Sequence, residues 1–166
     1  TGDSKYIDIL ERSLYNGALA GISLGGDRFF YVNPLESKGD HHRQEWYGCA
    51  CCPSQLSRFL PSIGNYIYAS SDDALWVNLY IGNTGQIRIG ETDILLTQET
   101  DYPWDGSVKL TISTSQPLEK EIRLRIPNWC KTYDLSINGK RINVSEKKGY
   151  AVIKDWKSQD VIALDM

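Results

Sequence analysis

Long apolar runs are missing from this 166-residue chain. None approaches the roughly 20 residues that a membrane-spanning helix needs. Positive charge is also short. Eighteen Lys and Arg stand against 21 Asp and Glu, a net charge of −3. That balance offers no basic face to a nucleic acid and no polybasic patch to anionic lipid. The start, Thr1-Gly2-Asp3-Ser4-Lys5, lacks the hydrophobic segment of a signal peptide. Thr1 stands where a Met would be expected, and Val161 to Met166 reads as a strand still under way. Both ends therefore read as cut from a longer protein, and no compartment, cytoplasmic or periplasmic, is assigned. Cysteine is scarce, at four residues. So few, spaced so unevenly, do not make a disulfide framework and point instead to metal-binding or catalysis.

Three of those four crowd into Cys49-Ala50-Cys51-Cys52, and Pro53 follows at once. Proline fits the first helical position because its missing N–H would have no partner there. Pro53 is thus expected to open a helix through Leu60, with Cys52 as its N-cap and Cys51 just before. The partial positive charge at a helix N-terminus favours anions and lowers the pKa of a thiol placed there. Thiolates bind soft metals and attack electrophilic carbon. Cys130 stands alone beside Trp129 and reads as a small packing group.

The period of the apolar residues divides the chain. Ile7, Leu10, Leu14 and Ala18 recur at helical spacing behind Asp3 or Ser4, either of which can cap. Glu11 lies on the apolar arc of that helix, where a carboxylate is partnered, functional, or at an edge that reaches solvent. Ile22-Ser23-Leu24 and Phe29 to Val32 flank Gly25-Gly26-Asp27, a hairpin signal. His41-His42 fall in a polar loop and read as solvated. In the cysteine helix, Leu56, Phe59, Leu60 and Ile63 form a stripe. Pro61 should kink or shorten that helix, and Gly64 can stop it. From Asn65 onward short alternating runs dominate. They are Tyr66–Tyr68, Ala74–Tyr80, Gln86–Ile89, Asp93–Gln98, Ser107–Ser113, Glu121–Ile126, Tyr133–Ile137 and Lys140–Val144. Asn138-Gly139 between the last two is a strong type I′ hairpin signal. The expected fold class is α+β, with helices in residues 1–64 and an antiparallel β-sandwich in residues 65–166.

The run Gly48-Cys49-Ala50-Cys51-Cys52-Pro53 resembles the signature of the zinc-thiolate β-L-arabinofuranosidases, a glycoside hydrolase family. Phe29-Phe30-Tyr31-Val32-Asn33-Pro34-Leu35-Glu36, Gly64 to Tyr68, Leu75 to Tyr80, Leu96 to Gly106 and Arg125 to Cys130 are similar as well. The resemblance implies that residues 1–64 are the last helices of a catalytic (α/α)₆ barrel and residues 65–166 its β-sandwich. It implies that Cys51 is the nucleophile and a zinc ligand, and Cys52 a second ligand. It further implies that Cys49, Tyr31 and Glu11 line the sugar pocket. The family's Glu-x-Cys zinc ligands and its acid/base glutamate have no match in these residues and would lie upstream. The implied cofactor is zinc. The implied partners are a plant-type arabinose-containing oligosaccharide or glycoconjugate and the rest of the chain's own catalytic domain.

Retaining glycoside hydrolysis needs a nucleophile and an acid/base on opposite faces of the sugar. A thiolate can serve as the nucleophile, and zinc would hold it ionised at neutral pH. The chain supplies two of the four ligands of a tetrahedral site, so by itself it is expected to be inactive and to bind zinc poorly. Two other readings compete. One is a structural zinc knuckle of Cys49, Cys51, Cys52 and His41 or His42. The other is a carbohydrate-binding sandwich using Trp46, Trp76, Trp104 or Tyr102.

Overall fold

A computed structural model describes residues 2–116 and 119–166. The chain forms two compact units: Asp8–Asn65, and Tyr66–Met166 together with the residues up to Ile7. Each is described by itself.

The helical unit starts inside α1 (Lys5–Ser13), capped where the Asp3 carboxylate accepts the Lys5 N–H at 3.1 Å. The helical course continues past Ser13, first as a wider π turn over Leu14–Ala18 and then as a 3₁₀ turn over Leu19–Gly21. Leu14 and Glu11 are buried, whereas Tyr6 and Ile9 are exposed. The expected hairpin is present only as isolated bridges. Ile22 pairs with Phe29, and Phe29 also pairs with Gln44. Ser23 donates its N–H to Arg28 at 2.9 Å across the turn, where Gly26 adopts a φ of +74°.

α2 (Cys51–Phe59) corrects the expected helix start. Ala50 is the N-cap, and its carbonyl accepts the Ser54 N–H at 3.0 Å. Cys51 and Cys52 therefore lie inside the first turn, and Pro53 is its third residue. Proline is tolerated there for the reason given for the first position: the early N–H groups of a helix have no partner within it. Pro61 does shorten α2, which gives way to a 3₁₀ turn over Leu60–Ser62. Gly64 is not a stop. It opens α3 (Gly64–Ile67), so Tyr66 and Ile67 are helical and not part of a strand.

The other unit holds two sheets. The first has the order β1-β2-β6-β10-β9 and the second β3-β4-β5-β11-β7-β8. Their ranges are β1 Tyr68–Ser70, β2 Ala74–Val77, β3 Asn83–Ile89, β4 Thr92–Thr100, β5 Ser107–Thr114 and β6 Glu121–Arg125, followed by β7 Asp134–Ile137, β8 Lys140–Arg141, β9 Ser145–Lys147, β10 Tyr150–Ile153 and β11 Val161–Asp165. All pairs among the described residues are antiparallel except β2 with β6, which is parallel. That pair is reached by a crossover through β3, β4 and β5, as parallel neighbours require a long connection.

Alternation fixes which face of each strand is buried. Val108, Leu110 and Ile112 of β5 face the core beside Ile94 and Leu96 of β4 and Ile162 and Leu164 of β11. Leu75, Val77, Ile122, Leu124 and Ile153 of the first sheet join the same cluster. The strands that periodicity left unassigned, β9 and β10, meet at Lys148-Gly149, with φ of +52° and +77°. Asn138-Gly139, with +52° and +76°, forms the expected I′ turn between β7 and β8.

One fully buried cation sits among these strands. Arg125 donates its Nε–H to the Asn78 carbonyl at 2.6 Å, and the Tyr80 hydroxyl donates to the Arg125 carbonyl. The Tyr150 hydroxyl donates to Asn78 Oδ1 at 2.8 Å. Burying a cation is tolerable only with such partners.

Candidate functional site

The thiols gather at the start of α2. Cys51 Sγ lies 3.3 Å from the Tyr31 hydroxyl and 3.9 Å from Cys52 Sγ, and Cys49, Cys51 and Cys52 are all exposed. Tyr31 comes from the bridged segment 20 residues earlier, so a residue of the Phe-Phe-Tyr run and the cysteine run meet in space. Its backbone is held as well: the Tyr31 N–H donates to the Tyr47 hydroxyl at 3.0 Å.

These contacts sort the protons. The Cys51 thiol is pulled below its ordinary value, chiefly because the Tyr31 hydroxyl donates to its sulfur and then because the Cys52 and Cys49 thiols do. Cys52 moves the other way, raised first by its bond to Cys51. Tyr31 is pushed up to about 12 by its bond to the same sulfur. Cys51 thus ionises before Cys52 and Tyr31, which keep their protons as donors. Hydrogen bonding to the charged form is the dominant cause, as for any group stabilised by donors.

Glu11 belongs to another element, α1, where it is 7% exposed. Cys130 is partly buried, its thiol donating to the Thr132 carbonyl at 3.1 Å and raised by burial. That fits a packing group.

The rival zinc knuckle is not assembled. Among the described residues no three metal-ligating side chains converge. The His41 ring stacks on Phe30 at 4.8 Å, and its Nε2 is 2.7 Å from the Val32 carbonyl. The aromatic residues considered for sugar binding differ in their surroundings. Trp76 is covered by the Arg123 guanidinium 4.7 Å from its ring centre, and Tyr102 packs between Tyr80 and Trp129. Trp46 meets Phe29 edge-on at 5.7 Å, and Trp104 is 88% exposed.

Two thiolates on one tetrahedral zinc, at about 2.3 Å each, stand about 3.8 Å apart. The Cys51–Cys52 separation of 3.9 Å fits two adjacent corners of such a site. Two donors are half of what the ion needs.

Comparison with known families first sets the class. Residues 1–65 match a model described as β-L-arabinofuranosidase, GH127 catalytic domain, and residues 74–166 one described as β-L-arabinofuranosidase, GH127 middle domain. The chain belongs to the GH127 β-L-arabinofuranosidase family of glycoside hydrolases. It is 37% identical to a non-reducing end β-L-arabinofuranosidase of Bifidobacterium longum subsp. longum, over 90% of this chain and 25% of that one. It is 44% identical to the crystal structure of a GH127 β-L-arabinofuranosidase from Geobacillus stearothermophilus T6. That match has a TM-score of 0.89 and covers 99% of this chain and 28% of the other. A second solved GH127 β-arabinofuranosidase matches at 41% identity and a TM-score of 0.91, over 99% and 28%. The chain spans about a quarter of the length of these relatives.

Among the described residues no helix is long and apolar enough to cross a membrane.

Tyr47 is the contact that sequence reasoning missed. Nothing in a tyrosine two residues before Cys49 signals that its hydroxyl will take a backbone N–H 16 residues away.

Proposed function

We propose that this chain is part of a retaining glycoside hydrolase that removes L-arabinose from β-L-arabinofuranosides, with Cys51 as its nucleophile. In this reading residues 1–64 close an (α/α)₆ catalytic barrel and residues 65–166 form the β-sandwich behind it. The observation that supports it most is the contact of the Tyr31 hydroxyl with Cys51 Sγ at 3.3 Å, which is the leading cause of the lowered Cys51 thiol. The Cys51 sulfur attacks the anomeric carbon, and the bond from that carbon to the leaving oxygen breaks. An acid elsewhere in the protein supplies the leaving oxygen's proton. Water then displaces sulfur, gives up its proton to the same group, and frees the sugar. Cys49, Tyr31 and Glu11 contact the sugar.

Cys51 and Cys52 would hold zinc together with ligands from the remainder of the protein. Bound zinc keeps sulfur deprotonated at neutral pH. The substrate is a plant-type arabinose-containing oligosaccharide or glycoconjugate.

The test uses the longer polypeptide that contains this chain, with an aryl β-L-arabinofuranoside as substrate. Wild type should turn over, Cys51→Ala should not, and a slow substrate should leave a sugar mass adduct on the peptide bearing Cys51. Undiminished turnover by Cys51→Ala would overturn the assignment.

A further inference from the structure

Ladder geometry around Phe29 leaves one backbone donor needing a partner. Phe29 and Gln44 exchange two backbone hydrogen bonds, at 2.8 and 2.9 Å. In a regular antiparallel ladder the next such pair, two residues on in one strand and two back in the other, is Tyr31 with His42. That pair does not form: the only bridges here are Ile22 with Phe29 and Phe29 with Gln44 among the described residues. The Tyr31 N–H goes to the Tyr47 hydroxyl at 3.0 Å, and the same hydroxyl donates to the Phe29 carbonyl at 2.9 Å. One phenol oxygen therefore accepts from one residue and donates to another on the same strand, using its donor and one lone pair. The two rings also touch, with centroids 5.5 Å apart and tilted by 52°. Tyr47 is half-buried, whereas Tyr31 is exposed and its hydroxyl reaches Cys51.

A side chain that must hold a hydroxyl at one sulfur, and not at its neighbour 3.9 Å away, needs its backbone fixed to within a fraction of that spacing. The geometry points to Tyr47 as a positioning residue that holds the Tyr31 backbone and so aims the Tyr31 hydroxyl at Cys51, not at Cys52. This deepens the reading of the site given above and rests on it for the role of Cys51. Tyr47 acts through Tyr31 and is not assigned a contact with sugar.

The test is a double-mutant cycle on Tyr47→Phe and Tyr31→Phe in the longer polypeptide. The first readout is iodoacetamide labelling of metal-stripped protein, with Cys51 and Cys52 quantified separately by peptide mass. The second is kcat and KM with an aryl β-L-arabinofuranoside. Tyr47→Phe should lower the ratio of Cys51 to Cys52 labelling about fivefold, the equivalent of one ordinary hydrogen bond. It should lower kcat with little change in KM. In the Tyr31→Phe background it should do nothing further to the labelling ratio. Thermal unfolding of each variant separates this from loss of folding, because general loosening would speed both thiols together. Additive effects of the two substitutions, or an unchanged ratio in Tyr47→Phe, would overturn the inference. Those outcomes leave the nucleophile assignment standing. Full activity in Cys51→Ala would sink that assignment while leaving the labelling result intact.

Discussion

Replacing Gly149 with alanine separates two costs that usually come together. Gly149 and Gly139 occupy the same position in two I′ turns, with φ of +77° and +76°. An L-residue in that left-handed conformation costs about 1–2 kcal/mol, less the gain of about 0.4–1 kcal/mol from stiffening the unfolded chain. The surroundings differ. A methyl at Gly139 would meet nothing within 4 Å, whereas one at Gly149 would overlap Ser4 Oγ and lie 2.8 Å from Ser4 Cβ. Ser4 is buried, and its N–H donates to the Lys148 carbonyl at 3.0 Å in the same turn. Overpacking of this kind costs typically about 1–3 kcal/mol. Gly139→Ala should therefore lose about 1 kcal/mol and Gly149→Ala about 2–4 kcal/mol. Urea unfolding followed by tryptophan fluorescence measures both, and the melting temperatures should differ by roughly 2–12 °C. Adding Ser4→Gly to Gly149→Ala should recover the packing part and bring the variant near Gly139→Ala. Equal losses in the two alanine variants would refute the claim that the residues up to Ile7 pack against the β9–β10 turn.

Tyr31→Phe removes the leading cause of the lowered Cys51 thiol, so the pH profile of Cys51 alkylation should move to higher pH. An unmoved profile would show that the phenol is not the dominant donor. Arg125→Met leaves the buried Asn78 carbonyl without its Nε–H donor and should cost roughly 3 kcal/mol. Tyr80→Phe, which strips the Arg125 carbonyl of its hydroxyl donor, should cost about 1–2 kcal/mol. Both are read by urea midpoint. Glu121 is held below the ordinary carboxylate value of 4.5, first by its hydrogen bond from Arg123. Its folded pKa is the lower one, so its contribution to stability is complete above pH 4.5 and fades as pH falls through the folded value. Glu121→Gln should flatten the acid limb of the stability profile below pH 4.5. A limb as steep as in wild type would discard this ion pair as a source of acid sensitivity.

Most of the sandwich was legible because one physical signal decides it. Where one face of a strand is buried and the other is wet, alternation appears, as in Val108, Leu110 and Ile112. Where a turn demands two positive φ values, Asn138-Gly139 announces it. The signal fails where either condition lapses. Tyr150 to Ile153 is buried at every position, so β10 has no alternation to read. Its turn uses Lys148 in a conformation that lysine seldom adopts. Tyr66 and Ile67 look like the first residues of a strand, yet they complete α3. The Ile67 carbonyl accepts the Asn78 N–H at 2.8 Å, a tertiary contact that local propensity does not encode. The (α/α)₆ barrel is an expectation from resemblance; the described residues show a small helical region.

The site was legible in its inventory but not in its wiring. Crowding of Cys49, Cys51 and Cys52 before Pro53 marked the place, yet the helix dipole alone does not choose among them. Cys51 and Cys52 are adjacent in the first turn of α2 and share the same helix end. The dipole acts on both in the same direction. Their thiols nonetheless move in opposite directions: Cys51 is lowered first by the Tyr31 hydroxyl 3.3 Å away, and Cys52 is raised first by its bond to Cys51. The difference between the thiols thus depends on the loop between Gly21 and Gly48, which supplies Tyr31, as well as on the cysteine run. It follows that moving the donor should move the reactivity. A variant that keeps all three cysteines but lacks the Tyr31 hydroxyl should alkylate Cys51 and Cys52 at similar rates. A large remaining preference for Cys51 in Tyr31→Phe would mean that position in the first turn of α2, and not the phenol, sets which sulfur alkylates faster.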